Sequence, residues 1–269
     1  MKVLNGLFIV LLTALIVITA AAVFDGRTDA IMTADELAPF SSQYWLGTND
    51  LGQDLLQRTW LATPDSLLIA LGTGIIVTFI ALCYALLTAK SGARMQQILL
   101  RIIDIQLAFP HLLLAILLAA YIQPNTAWLI ALLVFLGWPR EVRELYVLIS
   151  LEIQRDSVIQ ARQFGASFSY LLRRHLLPRI LPNVAGIMIN VSKRAILHAS
   201  GLAFLGVTDP SKPTWGGMIA DVIPLLYYPE AIQLIVAPAL ALVGFISLLT
   251  FTGYLLERKA LALSRSIDE

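Results

Sequence analysis

The chain has 269 residues, of which 58% are apolar and 14% charged, with a mean hydropathy of +0.78. A soluble domain carries about a quarter charged residues, so much of this surface faces something other than water. A formal net charge of +1 offers no global attraction for nucleic acid, and the single cysteine, Cys83, excludes an internal disulfide.

A bilayer core about 30 Å thick needs about 20 mostly apolar residues in a helix. The first such run is 4–24, preceded only by Lys2. Ala20-Ala21-Ala22 offers a signal-peptidase reading, but the apolar stretch exceeds the usual signal core, which favours an N-terminal transmembrane helix. The polar segment 25–65 follows. Further apolar runs cover 66–89, 98–121, 127–148, 181–205 and 231–256, separated by Pro, Gly and charged stretches. In lipid every backbone donor and acceptor must be satisfied within its own segment, so the runs are expected to be helices. The chain is thus expected to be an all-α membrane protein with about six transmembrane helices, a core over 66–256 and a tail over 257–269. The third and fourth runs are joined by a short link at Gln123-Pro124-Asn125, which makes them antiparallel neighbours.

Basic residues set the orientation. With the amino terminus inside, the outer segments contain Arg27, Arg58 and Lys212. The inner segments contain Lys2, Lys90, Arg94, Arg155, Arg162, Arg173, Arg174, Arg179, Arg258, Lys259 and Arg265. Both termini are therefore expected in the cytoplasm.

Several charges fall in or near the spans, where they are costly and point to function by default. Arg101 and Asp104, at i, i+3, are expected to pair with each other or to anchor at the interface. Arg140, Glu141, Arg143 and Glu144 follow Trp138-Pro139 and are expected where the fourth helix leaves the bilayer, with Arg140 and Glu144 paired. Lys193 and Arg194 lie halfway along the fifth run, too deep to reach the surface. Two readings are open for them. They line a translocation path, with His198 one turn on, and favour carboxylate-bearing or anionic substrate groups; or they pair with a carboxylate of a partner subunit. The stretch 207–230, with Pro210, Pro213, Pro224, Pro229 and Trp215, is too interrupted to span and reads as a re-entrant cap or an outer docking surface. Tyr227 and Tyr228 also suit interfacial anchoring.

The cytoplasmic loop 155–179 is too polar to span and too patterned to be a slack linker. Residues 158–164 read as a short helix stopped at Gly165, and Ser167 reads as the N-cap of a second. Phe168, Leu171, Leu172 and Leu176 then share a face, and Pro178 marks the next boundary. Two readings are again open: an amphipathic segment resting on the inner leaflet among lipid headgroups, or a helix–turn–helix docking into a groove on a cytoplasmic partner.

This loop resembles the EAA loop of ABC-transporter permeases, in particular the C-type subunit of the dipeptide/oligopeptide/nickel importers. Four further stretches agree in order and spacing: YWLGTNDLGQDLLQR (44–58), RIIDIQLAFP (101–110), GLAFLGV (201–207) and PTWGGMI (213–219). Ala161, Gly165, Ala166, Ser167, Leu172, Arg174, His175 and Pro178 carry the loop pattern and, by this resemblance, couple to an ATPase. Gly47, Gly52, Asp54 and Trp215 are the corresponding candidates for outer docking. The chain departs from the family at Ile159-Gln160, which stand in place of Glu-Ala, so the acidic contact is not carried over. Asn49 and Gln53 stand where Asp and Arg are usual. The resemblance implies a homologous second permease subunit, two cytoplasmic ATPases, an extracytoplasmic solute-binding protein and a place in a bacterial inner membrane. Peptides, nickel or a metal chelate are the substrates it suggests. No cofactor is expected. No G-x-x-x-x-G-K-[ST], metal-ligand spacing or G-x-S-x-G occurs, so ATP hydrolysis, metal binding and hydrolase chemistry are not expected of this chain. An ion-driven secondary transporter is the alternative, but such proteins place carboxylates at the midplane, where this sequence places Lys193 and Arg194.

Overall fold

The computed structural model describes residues 35–119, 125–207, 209 and 212–268. The N-terminal run 4–24 and most of the Gln123-Pro124-Asn125 link lie outside them. Among the described residues the fold is helical, with a single isolated bridge between Thr48 and Asp54.

The helices are α1 (Leu55–Leu61), α2 (Thr63–Leu67), α3 (Thr73–Lys90), α4 (Ala93–Leu107), α5 (His111–Ala119), α6 (Thr126–Ile153), α7 (Asp156–Gln163), α8 (Phe168–Leu171), α9 (Leu177–Phe204), α10 (Trp215–Asp221) and α11 (Gln233–Asp268). Leu55–Lys90 and Pro229–Leu256 are long and apolar enough to cross a bilayer by length and composition. At 28 residues each, α6 and α9 reach about 42 Å, and α6 carries two buried charges, Glu141 and Glu152, that must be paired inside the bundle.

Small residues bring the helices together. On α3, Gly74, Val77, Thr78, Ala81, Ala85 and Thr88 recur at helical spacing on the buried face, against α6 and α9. Val77, Ala81, Ala85, Val142, Leu145, Ile149 and Ile180 form one core cluster of the bundle. Gly74 lies so close to α9 that a β-carbon there would sit 2.0 Å from Ser192 Oγ. Pro139 interrupts α6 and frees the carbonyl of Phe135 four residues back; the side-chain amide of Gln106 on α4 donates to that oxygen. That bond ties α4 to α6.

Three boundaries differ from the sequence expectation. Helical structure begins at Leu55 rather than at residue 66, because Asp54 caps α1. The run 98–121 breaks at Phe109-Pro110: proline has no N–H to continue a helix and disfavours helical dihedrals in the residue before it. Residues 168–204 run without interruption through a π-helical turn, Leu172–Leu176. In that turn Leu177 N donates to Leu172 O, five residues back. Pro178 therefore lies inside a helix start rather than at a separate boundary. The tail from residue 257 continues α11 as far as Asp268.

The short helix α10 packs against α9 and α11. A β-carbon on Gly216 would lie 2.5 Å from Ser200 Cα, a backbone atom that cannot rotate away. Gly216→Ala is expected to destabilise the protein by about 1–3 kcal/mol through overpacking, read as a lower unfolding temperature in detergent. An unchanged temperature would show that α10 is not held against α9.

Candidate functional site

The elbow between α6 and α9 is built from local signals. In α7 the carbonyl of Ala161 accepts from Ala166 N at 3.0 Å and that of Arg162 accepts from Gly165 N at 3.0 Å. Together with φ +82° at Gly165, these bonds make a Schellman ending. Ala161, Gly165 and Ala166 are thus the parts of one turn. Ser167 then caps α8, its Oγ accepting from Tyr170 N at 3.3 Å.

The elbow is bolted to the bundle at three places. Val158, Leu171 and Leu176 are buried. Lys90 at the end of α3 lies 5.7 Å over the ring of Phe168, within cation–π range. The buried carboxylate of Glu152, in the last turn of α6, faces Arg155 Nε at 3.0 Å and Arg179 Nη1 at 3.7 Å. That same Nη1 is 3.3 Å from Ser157 Oγ, to which it donates. One acidic side chain thus joins the exit of α6, the start of α7 and the start of α9. The ring of His175 lies 5.9 Å from that of Tyr170; Leu172 is half-buried and Arg174 exposed.

Within the membrane core the charges are arranged differently from the sequence expectation. Glu141 is not at a solvated exit: it is 2% exposed and in direct contact with Arg194 of α9. Asp104 pairs with Arg143 of α6 rather than with Arg101, and among the described residues Arg140 and Glu144 form no ion pair. Lys193 and Arg194 do not act as a unit. Arg194 is neutralised within the chain, whereas Lys193 Nζ lies 3.5 Å from Thr250 Oγ1 of α11 and has no carboxylate partner among the described residues. One turn beyond Arg194, His198 is exposed. It shares with His111 a cavity of about 80 Å³ otherwise walled by Ala115, Leu133, Leu136, Gly137 and Leu202. Asn190, His198 and Gly201 make an exposed stripe along α9, with open space at the Gly201 β-carbon position.

The outer motif has structural work to do. Gly47 (φ +76°) would place a β-carbon 2.6 Å from Ala38 O, and Gly52 also has positive φ. Asp54 Oδ1 accepts from Leu56 N at 2.8 Å as the α1 cap. Trp215 is 4% exposed, donates from Nε1 to Thr59 O at 3.2 Å and packs edge-on to Phe245. Gly47, Gly52 and Trp215 are buried within the chain, so each holds local backbone or packing there. The two departures from the family pattern meet each other: Asn49 Nδ2 donates to Gln53 Oε1 at 2.9 Å. Arg58 reaches Asp221 at 3.4 Å. Loss of hydration at the Asp221 carboxyl pushes its pKa up and Arg58 pulls it back; with 66% of that side chain in solvent, the pair adds little stability.

Sequence reasoning placed Glu141 at a solvated helix exit and did not single out Glu152; their partners Arg194 and Arg179 stand 53 and 27 residues away.

Residues 81–261 match the family of binding-protein-dependent transport system inner membrane components. The chain is 30% identical to the oligopeptide transport system permease protein OppC of Bacillus subtilis (strain 168), covering 83% of this chain and 74% of that protein. It is 33% identical to the peptide transport system permease protein SapC of Escherichia coli O6:H1, over 68% of this chain and 62% of that one. Among solved structures it superimposes on a chain of the MetNI methionine ABC transporter in an inward-facing conformation. The TM-score is 0.64 and the identity 17%, with 82% of this chain and 99% of that chain covered. The match is one of fold. The loop pattern, the helical architecture and the relatives agree: this chain is a multi-pass membrane protein of the ABC-importer permease family, in its peptide/oligopeptide branch, and is a non-catalytic subunit.

Proposed function

We propose that this chain forms half of the translocation path of a bacterial inner-membrane peptide importer and takes its driving force from cytoplasmic ATPases through the elbow 155–179. The observation that carries the reading is the elbow's construction: a glycine-closed turn standing in solvent on a seat fixed by Glu152, Val158 and Leu176. A rigid projection of this kind transmits displacement, because packed elements shift between discrete arrangements instead of deforming smoothly. ATP binding would close two ATPases beneath the membrane; the elbow would carry that motion into α6 and α9, and the path would change the side to which it opens.

The partners in this reading are a homologous second permease subunit, two ATPases and a solute-binding protein on the outer side, with both termini of this chain in the cytoplasm. The stripe Asn190, His198 and Gly201, with Lys193 beside it, faces the path, since polar groups on a membrane helix avoid lipid. Lys193 is the uncompensated cation there and would favour the carboxylate end of a peptide. Nickel has less support, for no group of three or more metal-ligating side chains occurs among the described residues.

Vesicles holding the complete importer, with binding protein outside and ATP inside, are expected to accumulate labelled oligopeptide. Lys193→Gln should slow that uptake roughly tenfold, equivalent to about 1.4 kcal/mol. Uptake that continues without ATP and stops with an uncoupler would overturn the reading.

A further inference from the structure

Helix α4 buries a single residue, Ile103. Polar bonds to α6 hold it besides: Gln96 to the Tyr146 hydroxyl, Gln106 to the Phe135 carbonyl and Asp104 to Arg143. Its outer face carries a shallow hollow of about 520 Å³ lined by Arg94, Gln97, Ile98, Arg101, Ile102 and Ile105. Counted from Arg94 these stand at i, i+3, i+4, i+7, i+8 and i+11, one side of a helix. Ile98, Ile102 and Ile105 are all exposed. Three isoleucines held outward on one ordered face mark a surface that something apolar covers.

Charge indicates what covers it. Asp104, one turn from Arg101, is engaged by Arg143, and among the described residues neither Arg94 nor Arg101 forms an ion pair. An uncompensated guanidinium at membrane depth is costly, and its forked donors suit a phosphate. The order along the helix also has a direction. Arg94 stands in the first turn of α4, at headgroup level if the α3–α4 link is cytoplasmic. Arg101 is seven residues on, about 10 Å deeper, and its long stem lets the guanidinium return toward the same level. Ile102 and Ile105 continue into the hydrocarbon. Cations at the shallow end and isoleucines at the deep end are the complement of a phospholipid.

We infer that this face of α4 binds one anionic glycerophospholipid of the cytoplasmic leaflet, its phosphate between Arg94 and Arg101 and an acyl chain along Ile98, Ile102 and Ile105. The inference rests on the orientation given in the preceding section and adds a ligand that the transport reading does not contain. The bound lipid steadies a helix whose own packing is one buried side chain. The second permease subunit is the other occupant that a membrane-facing hollow could take. It is disfavoured because a stable protein contact takes about 20–30 residues a side, whereas this hollow is six residues of a single helix, the scale of one lipid.

The test is titration of phosphatidylglycerol into phosphatidylcholine nanodiscs that hold the full-length permease pair, with bound lipid counted by native mass spectrometry. Wild type is expected to retain phosphatidylglycerol over phosphatidylcholine by about thirtyfold, as two basic side chains at a lipid surface give. Arg94→Gln with Arg101→Gln should lose that preference. Arg173→Gln with Arg174→Gln, which removes the same charge from exposed positions elsewhere on the chain, should keep it. Both double variants change exposed side chains, so unchanged yield and unfolding temperature serve as the folding control. Excess inorganic phosphate should leave the lipid in place. An undiminished preference in the Arg94 and Arg101 variant would overturn the site and leave the transport reading intact. So would an equal loss in the Arg173 and Arg174 variant, displacement by inorganic phosphate, or a crosslink from residue 102 to the second permease subunit. With Cys83→Ala, labelling of Gly92→Cys from outside intact cells would overturn the orientation on which both readings rest.

Discussion

Replacing Gly165 by valine is expected to stop ATP-driven uptake while the chain still inserts and folds. The residue holds φ +82°, and a β-carbon there would meet nothing within 4 Å. No packing is therefore lost, and the whole effect is on the backbone. A left-handed conformation costs a non-glycine residue roughly 1–2 kcal/mol, and a β-branched side chain is the worst suited to it. The turn would relax toward an extended form, breaking the bonds from Gly165 N to Arg162 O and from Ala166 N to Ala161 O. Phe164, Arg162, Arg173 and Arg174 would then point elsewhere. Uptake should fall by more than tenfold, whereas Gly165→Asn, which tolerates φ > 0, should retain most of it. Equal uptake by the valine variant and wild type would show that the direction of the elbow does not matter.

The second large effect is expected at Glu141 and Arg194. Glu141 is buried in the middle of α6 and Arg194 is a third exposed on α9, so either one alone is a charge without compensation in a poorly solvated place. Breaking a buried pair by removing one partner costs about 3–5 kcal/mol, whereas replacing both by apolar residues of similar size is often neutral or stabilising. Glu141→Leu and Arg194→Leu should each lower the unfolding temperature and the yield of inserted protein. The double variant should recover most of the loss. A double variant whose destabilisation equals the sum of the singles would show that the two side chains are not coupled. If the recovered double variant transports normally, the pair serves stability alone; if it is stable and inactive, the pair also serves the change between inward- and outward-facing states.

Local signals made much of this legible in the sequence. Ser167 as an N-cap and Gly165 as a helix stop are one-residue statements about the backbone, and both hold. Within the described residues the apolar runs are helical, because a run's length is a property of the run itself. Pro110 gave a visible sign of the break in 98–121, but a continuous apolar pattern outweighed it in the reading. The π-helical turn at Leu172–Leu176 has no pattern of its own; it shifts the helical phase before Pro178 without interrupting the helix. What remained illegible was pairing at a distance. Glu141 finds Arg194 across 53 residues and Asp104 finds Arg143 across 39, whereas spacing along one helix pointed Asp104 to the nearer Arg101. The burial of Trp215 was illegible for the same reason: its two N–H groups are accepted by Ser66 and Thr59, about 150 residues earlier in the chain.

The most direct test is the side of the membrane on which the elbow lies and what it touches there. With Cys83 replaced by alanine and Ser167 by cysteine, residue 167 should react with a membrane-impermeant maleimide in inside-out vesicles and not in right-side-out ones. It should also crosslink to an ATPase subunit in the assembled importer. Labelling of residue 167 from outside intact cells would contradict the account, because no cytoplasmic motor could then grip the elbow.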